Sequence, residues 1–242
     1  QLGRGWREEP SAMMKWFHRP KESPEPAQTP AAPERLSAIA ARSDTDKISY
    51  ARIYETYLDP IRERPLRFLE IGIGGYRDPK AGGASLRMWR EYLPNALIHG
   101  LDLHDKSSHA EPRIRIHQGS QDDPAVLDRI ADDMGRIDIV VDDGSHFSAH
   151  VRFTFEHLFP KLAPGGLYFI EDLGTSYWPT HGGSPDPADP STSMYFLKTI
   201  PDRLNSFAFK HEYTPGYLDK NVETIHFYPN MAVIRKTMTP RR

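Results

Sequence analysis

Two short apolar runs in this sequence each end in a pair of acids. Ile137–Val141 is followed by Asp142-Asp143-Gly144-Ser145-His146, and Leu167–Ile170 by Glu171-Asp172. Four carboxylates brought to one rim repel one another unless a cation lies among them. Hard oxygen donors of this kind suit magnesium, manganese or calcium rather than zinc. The alternative is structural: one pair accepts turn hydrogen bonds and the other caps helices. His146 stands three residues beyond Asp143, where an imidazole beside a divalent ion can take a proton from a hydroxyl. The chain holds 11 histidines, so His146 gains weight only from these neighbours. His150 and His157 read as ordinary helix residues.

Other apolar runs also end in polar groups. Arg67–Ile73 leads into Gly72, Gly74 and Gly75, where the backbone can turn sharply and approach a ligand. The pattern departs from Gly-x-Gly-x-x-Gly, and no helix follows promptly to hold a pyrophosphate, which weakens a nicotinamide reading. Asp102 closes the run Leu97–Leu103. An acid there can accept hydrogen bonds from ribose hydroxyls, or stand solvated at a strand end. Gln118-Gly119-Ser120-Gln121-Asp122 offers groups that could meet an adenine edge. Asp122 by itself reads better as a cap for the helix after Pro124.

These residues need a frame to hold them. Apolar runs closed by glycine or acids predict strands at Arg67–Ile73, Leu97–Leu103, Ile114–Gln118, Ile137–Val141 and Leu167–Ile170. Helical spacing predicts helices at Lys47–Leu58, Ser85–Tyr92 (Ser85 as N-cap), Pro124–Met134, Ser148–Leu162 and near Met194–Leu204. Pro164-Gly165-Gly166 should stop the fourth of these. Two final strands, about Phe207–Tyr213 and Glu223–Arg235, have no helix between them. The fold class is α/β: a doubly wound, mostly parallel seven-stranded sheet with an antiparallel C-terminal edge strand. In such sheets ligands sit beyond the carboxyl ends of the strands, at the switch in strand order.

Composition bounds the chemistry. The chain has 242 residues, no cysteine and a formal net charge of −2. Disulfides, Cys-ligated zinc, iron–sulfur clusters and thiol nucleophiles are excluded. The charge balance makes no case for nucleic acid. No apolar run reaches the roughly 20 residues of a membrane helix, and residues 1–10 lack a secretory core, so the expectation is a cytoplasmic protein without membrane insertion. Residues 1–35 carry Pro10, Pro20, Pro24, Pro26, Pro30 and Pro33, and read as a flexible tail with a short helix around Ser11–Phe17. Its apolar cluster, Trp6, Met13, Met14, Trp16 and Phe17, suits docking on the domain at 36–242 or on a partner subunit, as in a homodimer.

From about Thr45 to Arg235 the sequence resembles the class I S-adenosylmethionine-dependent methyltransferases, with their Rossmann-like sheet. More narrowly, it resembles the metal-dependent sugar O-methyltransferases of the macrolide type. The resemblance is carried by Leu69-Glu70-Ile71-Gly72-Ile73-Gly74-Gly75, by Gly82-Gly83-Ala84-Ser85-Leu86-Arg87-Met88-Trp89, by Asp142 to His146, and by Glu171-Asp172-Leu173-Gly174-Thr175-Ser176-Tyr177-Trp178. The glycine motif is weakly specific; the two acid pairs together are specific.

The resemblance implies a magnesium-dependent transfer of methyl from S-adenosylmethionine to a sugar hydroxyl. It places Gly72 and Gly74 near the methionine part of the cofactor, and Glu70 and Asp102 on its polar groups. Gln121 and Asp122 would lie near the adenine, and Asp142 close to the cofactor. Asp143, Glu171 and Asp172 would ligate Mg2+, and His146 would be the general base. Tyr177, Trp178 and His181 would face the acceptor. The acceptor would be a glycolipid, a polysaccharide end or a glycosylated natural product.

The mycinamicin-type enzyme has a further N-terminal domain where this sequence is rich in proline, so subunit contacts and acceptor choice do not carry over. Three other readings compete. A same-fold enzyme acting on a catechol or phenol needs the acids but needs His146 less. A nicotinamide oxidoreductase needs neither acid pair. A binding module would hold the cofactor without turnover.

Overall fold

A computed structural model describes residues 34–78 and 80–241. The proposed tail and its short helix lie outside the described residues. Helices α1 (Leu36–Ala41) and α2 (Ala51–Leu58) precede the first strand, β1 (Arg67–Ile71). There follow α3 (Ala84–Tyr92), β2 (Leu97–Asp102), β3 (Ile114–Gln118), α4 (Pro124–Met134), β4 (Ile137–Asp142), α5 (Ser148–Leu158) and β5 (Leu162–Ile170). Three short helices, α6 (Ser193–Lys198), α7 (Ile200–Leu204) and α8 (Tyr217–Asn221), lead to the hairpin β6 (Val222–Tyr228) and β7 (Met231–Lys236).

The strands form one seven-stranded sheet in the order β3-β2-β1-β4-β5-β7-β6. The first five are parallel; β7 runs antiparallel between β5 and β6. The order therefore reverses between β1 and β4, where a cleft is expected.

Alternation along the buried strands sends successive side chains to opposite faces. Phe68, Ile139, Val141 and Phe169 pack beneath Leu36, Tyr54 and Trp89 of α1–α3. Leu69, Val140, Tyr168 and Ile170 pack against Leu127, Phe155 and Phe196 of α4–α6. The same parity decides where each strand-end acid points.

Several sequence expectations shift. Ser85 lies inside α3, whose N-cap is Gly83 at φ +70°. The α5 helix stops at Leu158, before Pro160, which has no N–H to give. Pro164-Gly165-Gly166 belongs to the opening of β5, at a register shift against β4, and does not form a plain stop. No strand forms at Phe207–Tyr213. Phe207 is exposed there; Phe209 stacks on His211, and Tyr213 meets both edge-on. Both final strands come instead from the single stretch expected at Glu223–Arg235, which folds back at Asn230, φ +64°.

Candidate functional site

A cleft of about 610 Å³ opens beyond the carboxyl ends of β1, β2 and β4. Gly72, Gly74, Asp102, Gln121, Asp143, Gly144, His146 and Asp172 are among its walls. Gly72 is in the left-handed region at φ +81°, and a Cβ there would lie 2.0 Å from the carbonyl oxygen of Asp143. Only glycine lets β1 turn this close to the β4 loop. Asp102 stands at the end of β2, fixed by the backbone N–H groups of His104 (2.8 Å) and Ile73 (3.3 Å). It remains part-exposed in the cleft wall, as a group that accepts from ligand hydroxyls must be.

Beside this cradle, Asp143, His146 and Asp172 converge. One ligand atom from each lies within 4.8 Å of the other two. His146 Nε2 is 3.8 Å from Asp143 Oδ1 and 3.9 Å from Asp172 Oδ2. His146 and Asp172 both adopt left-handed backbone, at φ 59° and 52°. Such strain in residues other than glycine persists only where surrounding contacts impose it. Thr175 Oγ1 donates to the His146 carbonyl at 3.2 Å and to the Asp172 carbonyl at 2.8 Å, tying the two turns together. Tyr50 donates to Asp172 Oδ1 at 2.8 Å. Asn230, at the β6–β7 turn, donates to the same oxygen and to the Tyr50 hydroxyl, each at 2.7 Å. Asp172 Oδ2 is thereby left to face His146.

Four expected site residues take other positions. Glu70 points to the α1–α3 face, fully buried, where Ser85 donates to it at 2.8 Å and Lys47 lies 3.7 Å away. It does not reach the cleft. Burial pushes its carboxyl up to about 7, against the pull of Lys47. Asp142 points to the opposite face, buried against Gln121 (3.1 Å) and Tyr168 (3.4 Å). Burial also raises it to about 7. Asp122 turns away to Ser120 and to His150, 3.2 Å distant, and the cap of α4 is Asp123. Glu171 lies 2% exposed on the α2 side, with one oxygen on Tyr54 and the other 3.1 Å from Lys47. His146 takes its place in the cluster that opens to the cleft. Gln121 does line the cleft, but its amide is already engaged by Asp142, Thr154 and the Ser145 N–H.

Tyr177 and Trp178 are 40% and 54% exposed outside the acid cluster. Trp178 meets His181 edge-on at 5.8 Å, and His181 meets Phe147, a cleft residue, at 5.4 Å. An aromatic rim thus continues the cleft wall outward.

Residues 78–173 match the family model described as Methyltransferase domain. The chain is 47% identical over 206 residues to the 8-demethyl-8-alpha-L-rhamnosyl tetracenomycin-C 2'-O-methyltransferase of Streptomyces olivaceus, covering 83% of this chain and 54% of that protein. It is 45% identical over 208 residues to the mycinamicin VI 2''-O-methyltransferase of Micromonospora griseorubida, covering 83% and 52%. The solved structure of MycE methyltransferase from the mycinamycin pathway, in complex with Mg and SAH, superposes with a TM-score of 0.82 at 43% identity, over 85% of this chain and 55% of that one. This chain carries a methyltransferase domain. The chain spans about half the length of the curated relatives it matches.

Within the methyltransferase domain, sequence reasoning missed Lys47, Tyr50, Tyr54 and Asn230. The first three recur at i, i+3 and i+7, one helical face, and Tyr50 and Tyr54 passed as apolar packing. Among the described residues no helix is long and apolar enough to cross a membrane. A second cluster, His99, His117 and Asp133, stands apart from the cleft. Its imidazoles meet nitrogen to nitrogen at 2.9 Å with rings 9° from parallel, and Arg115 occupies Asp133 at 3.1 Å, so it is a hydrogen-bonded pair between strands.

Proposed function

We propose that this domain transfers a methyl group from S-adenosylmethionine to a sugar hydroxyl of a glycosylated natural product, with a magnesium ion held at the acid centre. The convergence of Asp143, His146 and Asp172 on one point beside the glycine cradle carries this reading. The cleft suits such a cofactor. Its volume lies within the usual range for small-molecule sites. Its carboxylate walls are Asp46, Asp102, Asp143 and Asp172, and among the described residues no lysine or arginine lines it. A sulfonium nucleoside is welcome there, and a pyrophosphate is not. In this reading Asp102 would accept from the ribose hydroxyls, and Gly72 would let the methionine portion pass close to the backbone.

The metal fit rests on donor chemistry. Asp143 and Asp172 each present a carboxylate oxygen to the same point, as a hard cation requires, and Glu171 stands behind Asp143 as the third acid of the set. When bound, the ion lowers the pKa of an acceptor hydroxyl. His146 lies at the mouth, 22% exposed, where it can take the hydroxyl proton on Nε2. Asp143 and Asp172 flank that nitrogen at 3.8 and 3.9 Å. Tyr177, Trp178 and His181 offer ring faces to the apolar side of a sugar. The deprotonated hydroxyl oxygen would then attack the methyl carbon as the sulfonium C–S bond breaks, leaving neutral S-adenosylhomocysteine, and holding the two reactants in line would supply much of the acceleration.

The test is mass spectrometry of rhamnosylated and deoxysugar-bearing polyketides incubated with the protein, S-adenosylmethionine and Mg2+. A gain of about 14 Da, one methylene, that disappears in EDTA is expected, and His146→Ala should lower turnover by roughly 10²–10⁴. Methylation of catechol alone, or full activity in EDTA, overturns the assignment.

A further inference from the structure

Lys47 is 1% exposed, yet it carries a charge into the interior. Its ammonium contacts Asp143 directly, lies 3.1 Å from Glu171 and 3.7 Å from Glu70. Those acids close β4, β5 and β1, and strand parity sends all three to the same face. A buried lysine is tolerated only when its charge is matched. Two buried carboxylates and a third, part-buried one at the ends of adjacent strands are tolerated only with a cation among them. Each therefore accounts for the other. Sequence alone assigned that cation to a metal; the fold supplies one of its own.

The lysine arrives with company. Lys47, Tyr50 and Tyr54 follow one helical face from the short turn Asp46–Ser49 into α2. Tyr50 holds Asp172, and Tyr54 holds Glu171. Tyr54 is fixed in turn between Trp89 and Phe169, with ring centroids at 4.8 and 4.7 Å. One face of the segment before β1 thus touches every acid of the proposed metal set. It does so from beneath, on the side away from the cleft.

We propose that Lys47 is a built-in counter-cation of the acid centre, which holds Asp143 and Glu171 in place in the metal-free chain and competes with a divalent ion for them. This inference rests on the metal reading above. A divalent ion taken up by Asp143 shares that carboxylate with the ammonium, and like charges repel. Lys47 is a positioning residue: it faces the buried side of the acids and does not line the cleft. The competition has a use. It leaves the acids assembled without an ion and keeps the site from gripping one too firmly.

The test uses the full chain, Mn2+ as the probe, calorimetric titration and thermal melting at pH 8. Lys47→Met keeps the stem and removes the charge; Lys47→Gln also keeps a donor. Both variants should melt below the wild type without metal, bind Mn2+ at least about tenfold more tightly, and gain more from Mn2+ in melting temperature. Should either variant be unfolded without metal, Mn2+ should drive its folding, read by circular dichroism. Equal or weaker Mn2+ affinity in a folded variant, or failure of Mn2+ to fold an unfolded one, overturns the proposal, because a lysine that merely supports the fold has no reason to compete. A wild type that binds S-adenosylhomocysteine but no Mn2+ overturns the metal reading itself, and so separates the two failures.

Discussion

Replacing Asp142 by asparagine should make the protein more stable at neutral and alkaline pH. The carboxyl is 1% exposed, and burial raises its pKa from 3.8 to about 7. Between those values the folded protein keeps a proton that the unfolded chain has released. Stability therefore falls as pH rises through this window, and the deficit is complete above about pH 7. A gap of about three pH units corresponds to roughly 4 kcal/mol. Asparagine carries no charge and still accepts from Gln121, but it fits Tyr168 and the Gly144 N–H less well. Allowing about 1 kcal/mol for that leaves a gain of about 3 kcal/mol at pH 8. For a chain of this size the gain is roughly 6–12 °C in Tm. It should shrink to about half near pH 5.5 and vanish near pH 4. Melting of Asp142→Asn and wild type at those three values is the assay. A variant no more stable than wild type at pH 8, or one whose gain is the same at every pH, would falsify the argument that desolvation governs this group.

Gly72→Ala should cost far more stability and S-adenosylhomocysteine affinity than Gly74→Ala, because the new methyl meets a carbonyl oxygen at 2.0 Å in the first and nothing nearer than 3.7 Å in the second; melting and calorimetry compare them, and equal losses would contradict the cradle. Trp178→Ala should raise KM for the sugar acceptor several-fold and leave S-adenosylhomocysteine binding unchanged, since Trp178 stands on the outer rim; a matching loss of nucleoside affinity would place it elsewhere. His99 is held down to about 4 by burial and by His117, so the unfolded chain gains a proton below about pH 6.5 that the folded one refuses. Stability should therefore fall between pH 6.5 and 4. His99→Gln should flatten that decline in a pH series of melts, and an unaltered slope would assign the acid sensitivity to other groups.

The parallel core of the fold was legible because its strands are short, apolar and closed by glycine or acid. Pro124–Met134 and Ile114–Gln118 have the predicted bounds, since proline in a first turn and a polar strand end are local signals. The C-terminal hairpin was less legible. Its turn at Asn230 has no glycine, and Phe207–Tyr213 has strand-like composition without a sheet edge to join. Among site residues, Asp143, His146, Asp172, Gly72 and Asp102 meet at the cleft. Asp142 does not, because it points to the face opposite Asp143, and a motif read as a string has no faces. Glu70 and Glu171 share the face of Asp143 but are held beneath it by Ser85, Lys47 and Tyr54. Lys47 was invisible for a related reason. A lysine in a sequence reads as surface, and only the three acids converging on it keep it inside.

The bond from Asn230 to Tyr50 joins residues 180 positions apart, and its companion reaches back 58 positions to Asp172. Translation therefore delivers both partners of Asn230 long before Asn230 itself. A nascent chain paused after β5 already contains the residues of the glycine cradle, Asp102 and Lys47, but it lacks the amide that steadies Asp172. The same turn also accepts the N–H groups of Leu173 and Gly174 that hold the Asp172 loop. Maturation of the acid centre is thus tied to completion of the sheet. A chain clipped ahead of β6 loses the amide that finishes the centre together with β7, the strand that pairs with β5.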